Sequence, residues 1–103
     1  MSGERTRLTT NEEYNFELSG WLLTCALEAT KEKARHSALR FVGATRKIID
    51  QYKSIECINE DPFLLSVKED LGKLSIDRDQ MKELEGQLQA ILMKFAEEAI
   101  KRD

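Results

Sequence analysis

The sequence predicts an all-α protein, a small bundle of about four helices. Three observations lead there. Apolar residues recur at spacings of three and four along most of the chain, the period of an amphipathic helix. Helix-start signals stand at the places where those patterns begin. One proline and five glycines in 103 residues are too few for a loop-rich chain, and Val and Thr form none of the alternating runs that mark strands.

The first helix is expected over about 11–30. Thr10-Asn11-Glu12-Glu13 has the capping-box spacing, with the Thr10 hydroxyl facing an early backbone N–H and Glu13 reaching back. Glu12 and Glu13 also suit the positive end of the helix dipole. This helix carries two apolar stripes. Tyr14, Leu18, Trp21, Leu22, Cys25 and Ala29 form one, and Phe16, Gly20, Leu23 and Leu27 form the other. At about 100° per residue, the stripes are centred more than 90° apart. An ordinary surface helix needs one. The first stripe is expected to be core, and the second to be covered either by the rest of the chain or by another molecule.

The second helix is expected over about 34–54, from Ala34, Ala38, Phe41, Val42, Ile48, Ile49 and Tyr52. Neither Pro nor Gly lies between the two patterns. A continuous helix over 11–54 would be about 65 Å long, against a radius of gyration of about 13 Å for a compact domain of this size. A break near 30–34 is therefore favoured, with one continuous helix in an extended dimer as the rival.

After a loop at 55–61, Asp61-Pro62 reads as cap and first helical residue of a third helix over about 62–71. Phe63, Leu64, Val67 and Leu71 are its inner side and Gly72 its stop. Ser75 or Asp77 would cap the fourth helix, over about 78–101. Its Met81, Leu84, Leu88, Ile91 and Phe95 make the cleanest heptad seam in the chain. Glu97–Lys101 and Glu98–Arg102 have the favourable four-residue spacing. The chain reads as one domain over 1–103, with residues 1–9 flexible.

Charge is unevenly placed. Residues 11–30 hold four carboxylates and no Lys or Arg, whereas residues 31–53 hold seven cations against two carboxylates. On a helix through this basic segment, Lys33, His36, Arg40 and Lys47 share one strip, a candidate anion or nucleic-acid face. No aromatic residues are interleaved there for base stacking, and the acidic pI of about 5.3 argues against a dedicated nucleic-acid binder.

Catalytic and metal signatures are missing. Cys25, His36 and Cys57 match no zinc spacing. No nucleophile elbow, P-loop or dinucleotide fingerprint occurs, and the many carboxylates sit at helix starts or on polar faces. No cofactor is implied and an enzyme is not expected. With two cysteines, no signal-peptide pattern and no apolar run near bilayer length, the chain reads as cytoplasmic, without a membrane partner. The expected activity is non-enzymatic protein–protein association, in the manner of an adaptor. The partner would be a second copy in a homodimer, or another helical protein, bound through Phe16, Gly20, Leu23 and Leu27. The alternative is an accessory subunit for nucleic acid that uses Lys33, His36, Arg40 and Lys47.

Overall fold

The computed structural model describes residues 10–102, so the expectation for residues 1–9 lies outside the described residues. Four α-helices account for most of the chain: α1 Asn11–Lys31, α2 Arg35–Ile49, α3 Pro62–Leu71 and α4 Met81–Arg102. Single 3-10 turns, Asp50–Lys53 and Arg78–Gln80, extend the end of α2 and lead into α4. No strand occurs among the described residues.

The start of α1 forms by the expected capping box. Glu13 N–H donates to the Thr10 hydroxyl at 3.1 Å, and Thr10 N–H donates to the Glu13 carboxylate at 3.1 Å. Glu12 ties this end to the 54–61 loop, accepting from both the backbone and the side-chain amide of Asn59 at 3.2 Å. Its own backbone N–H and that of Asn59 hold the Glu12 carboxyl below the usual range.

The break between α1 and α2 lies where it was expected, but no glycine makes it. Lys33 adopts the left-handed conformation, with φ 59°. Its N–H donates to the Thr30 carbonyl at 3.0 Å, and the Ala34 N–H donates to the Ala29 carbonyl at 2.8 Å. This pair of bonds is the Schellman arrangement, which satisfies carbonyls that a helix end would leave open. α2 then runs back antiparallel to α1, and the Asn15 side-chain amide donates to Gln51 Oε1 at 3.0 Å at the far end of the hairpin.

Asp61 caps α3 as expected, accepting from Phe63 N–H at 2.9 Å and Leu64 N–H at 3.4 Å, with Pro62 at the first position. The caps expected before α4 do not form. The Asp77 side chain makes no capping bond, and Gln80 N–H donates instead to its backbone carbonyl at 3.0 Å. Ser75 is held by Gln87, whose Oε1 accepts its N–H at 2.8 Å.

Ion pairs lock α3 in place. Lys68 reaches Asp50 at 2.7 Å across to the end of α2, and Lys94 on α4 pairs with Asp70. The Lys68 hydrogen bond, with Lys53 nearby, keeps the Asp50 carboxyl below its ordinary pKa. One core joins the helices: Leu23 and Ala26 of α1, Ala38, Val42 and Ile49 of α2, Leu64, Val67 and Leu71 of α3, and Leu84, Leu88, Ile91 and Phe95 of α4. The α4 seam read from the sequence is thus buried at four of its five positions, and Met81 packs against the edge.

The stripe of α1 expected to be core is the more exposed one, and the second stripe is covered by the chain itself, the first of the two outcomes expected for it. In the stripe read as core, Tyr14 is 58% and Trp21 61% exposed, Leu18, Leu22 and Cys25 are half-buried, and only Ala29 is buried. In the second stripe, Leu23 is fully buried and Phe16 and Leu27 pack against the core. The cause is packing on two flanks. The residues that α1 buries most completely include Asn15, Ser19 and Ala26, which lie between the stripes. Small side chains there let a neighbouring helix approach closely, so the helix turns its narrow arc inward and each apolar stripe becomes a shoulder. The Ser19 hydroxyl is enclosed without a hydrogen-bond partner, an uncommon condition for a buried polar atom.

Candidate interaction surfaces

Phe16, Gly20, Leu23 and Leu27 do share one side of α1, as expected from their spacing, but that side faces α4. A Cβ placed on Gly20 would lie 3.2 Å from Cδ2 of Phe95, so the missing side chain is what lets the Phe95 ring approach α1. Phe16 stacks on Phe95 with centroids 5.4 Å apart, and Phe63 of α3 meets both rings edge-on at 5.7 and 5.0 Å. Leu23 is therefore unavailable to a partner of the folded chain.

Arg102 closes this aromatic cluster. Its guanidinium lies 4.2 Å from the Phe16 centroid, near enough for a cation–π contact. It donates to both carboxylate oxygens of Asp61, at 3.0 and 2.9 Å, and to Glu98 at 2.9 Å. Burial acts to lower the Arg102 pKa, but hydrogen bonds to Asp61 and Glu98 outweigh it and raise the value. Asp61 thus serves two ends, capping α3 and anchoring α4. The sequence exposed each half of this arrangement, Asp61-Pro62 and Glu98–Arg102. Their meeting across 41 residues is a tertiary fact with no local signal.

A shallow groove of about 310 Å³ runs beside the cluster between α1 and α4. Gly20, Trp21 and Thr24 line one wall, and Leu92, Ala96 and Ala99 the other. Trp21 projects at its edge. On the outer side of α4, Met93 is 66% and Ile100 76% exposed. Spacings of three and four place Met93, Ala96 and Ile100 along one face, so apolar surface continues outward from the groove. Met93 and Ile100 carried a sequence signal, since both are large apolar residues that stand outside the heptad seam of α4.

Lys33, His36, Arg40 and Lys47 are all exposed and share the outer face of α2 and its leading turn. The fold adds Arg78, which joins Lys33, Arg35, His36 and Ser37 around an open cleft of about 470 Å³ at the start of α2. Arg35 is positioned there by donating from Nε to the Ile76 carbonyl at 2.8 Å.

Among the described residues no three His, Cys, Asp or Glu side chains cluster in a metal-binding arrangement. Cys25 and Cys57 are both free thiols, half-buried and exposed respectively. No described helix is long and apolar enough to cross a membrane. Comparison with protein-family models, characterised proteins and solved structures finds no match to this chain.

Proposed function

We propose that the protein acts by helix-to-helix association with a second copy of its own chain, through the α1–α4 groove and the Trp21, Met93 and Ile100 surface beside it. The observation that carries this reading is Trp21, the single tryptophan, held 61% exposed at the rim of an apolar groove. Tryptophan and methionine are enriched at protein interfaces, and clustered exposed apolar side chains mark association sites more reliably than scattered ones. The groove volume of about 310 Å³ is at the bottom of the range for small-molecule sites. It suits one inserted side chain better than a cofactor.

A projecting ring next to a groove on the same face favours a second copy. A two-fold axis through such a face places each ring in the other chain's groove with one set of contacts, and two-fold dimers are the commonest soluble oligomers. The two free cysteines suit a reducing compartment such as the cytoplasm.

Sedimentation together with tryptophan emission tests the proposal. The 11.9 kDa chain should sediment as a dimer, and its emission should shift to the blue as concentration rises and the indole leaves water. Trp21→Glu, read by sedimentation alone, should give a monomer with unchanged helical circular dichroism. A chain that stays monomeric throughout, with concentration-independent emission, overturns the reading.

A further inference from the structure

The outer face of α2 is a strongly basic surface that the association proposal leaves unused. α2 carries Arg35, Arg40, Arg46 and Lys47 and no carboxylate. The ion pairs among the described residues engage Lys31, Lys53, Lys68, Lys94 and Arg102, and none of them involves a residue of α2. From His36 to Lys47 the strip runs about 16 Å at 1.5 Å per residue. At its leading end it opens into the cleft where Lys33 and Arg78 converge, and no carboxylate lines that cleft.

We infer that this face binds the phosphate backbone of duplex nucleic acid without reading its sequence. Two features select that partner. No large apolar side chain is exposed anywhere on α2, whereas protein interfaces have an apolar core and protein–nucleic acid interfaces are polar and strongly positive. The strip also presents no Phe, Tyr or Trp ring. Proteins that hold single strands stack bases on such rings, while a file of cations suffices for the phosphates of a duplex. Lys33, Arg40, Lys47 and Arg78 are the phosphate contacts. The groove between α1 and α4 shares no lining residue with the cleft, so binding does not depend on self-association.

Fluorescence anisotropy with a labelled 20-base-pair DNA tests the inference, using a labelled single strand of equal length and polyglutamate as comparisons. With three to four phosphates neutralised, affinity for the duplex should fall about 100-fold between 50 and 200 mM salt. Arg40→Gln with Lys47→Gln should weaken binding more than tenfold and reduce the slope of log affinity against log salt by about two. Lys82→Gln with Lys101→Gln, on exposed positions of α4, should leave both unchanged. Absence of duplex binding at 20 mM salt, or binding indifferent to the α2 substitutions, overturns the inference. Polyglutamate held as tightly as duplex also overturns it and makes the face a site for acidic protein segments. A single strand held more tightly than the duplex overturns the choice of partner.

Discussion

Leu23 and Trp21 stand two residues apart on the same helix, and the fold treats them in opposite ways. Leu23 is fully buried, while Trp21 is 61% exposed. Both are large and apolar, so hydrophobicity does not separate them. The difference comes from direction. α1 is covered on the arc that carries Ser19, Leu23 and Ala26, and residues two positions apart point about 200° from one another. An apolar residue is buried where a neighbouring helix reaches it, and the reach of α2 and α4 is set by the turn at Lys33 and by the bare backbone at Gly20.

The contrast breaks most sharply by truncation. Leu23→Ala should destabilise the monomer by about 2–5 kcal/mol, through lost transfer energy and a residual cavity. Trp21→Ala should change it by no more than about 0.5 kcal/mol, as for most surface substitutions. Urea unfolding midpoints at a dilution where the chain is monomeric decide between them, and equal losses would mean that Trp21 is also core.

Two glycines sharpen the same contrast. Gly20→Ala forces a methyl against Phe95, which Phe16 and Phe63 hold in place. Overpacking of this kind outweighs the gain in helix propensity, for a net loss of about 1 kcal/mol. Gly43→Ala meets nothing within 4 Å and should stabilise by about 0.5–1 kcal/mol, because a mid-helix glycine orders more backbone on folding. Thermal melts of the two variants should therefore move in opposite directions.

The smallest effect belongs to the turn that folds α2 back onto α1. Lys33 occupies a left-handed conformation that side chains disfavour, so Lys33→Gly should raise stability by about 0.5 kcal/mol in the same melts. A loss there would show that the Lys33 side chain contributes more to the turn than its backbone strain removes.

Local signals were largely legible. The Thr10 capping box and the Asp61-Pro62 start each rest on residues within one helical turn, the α4 seam repeats a spacing of three and four, and each forms as its spacing implies. Of the last five residues expected in the second helix, Asp50–Lys53 tighten into a 3-10 turn and Ser54 lies just beyond it. The candidate surfaces were legible in part. The α2 cations lie on one exposed strip because helical period alone arranges them, whereas Arg78 reaches that strip only through the path of the chain between α3 and α4. The stripe of α1 open to solvent could not be read, because both stripes are equally apolar and equally regular.

The sequence by itself determined an all-α chain, its four helices and most of their ends, since these follow from periodicity and from capping groups that act over a few residues. Only the tertiary structure decided which side of α1 became core and which kept Trp21 at the surface. It also decided that Asp61 and Arg102 would meet over Phe16. Those outcomes depend on which helix approaches which flank, and that is governed by small residues such as Ser19, Gly20 and Ala26, whose effect is to leave space that a distant part of the chain must fill.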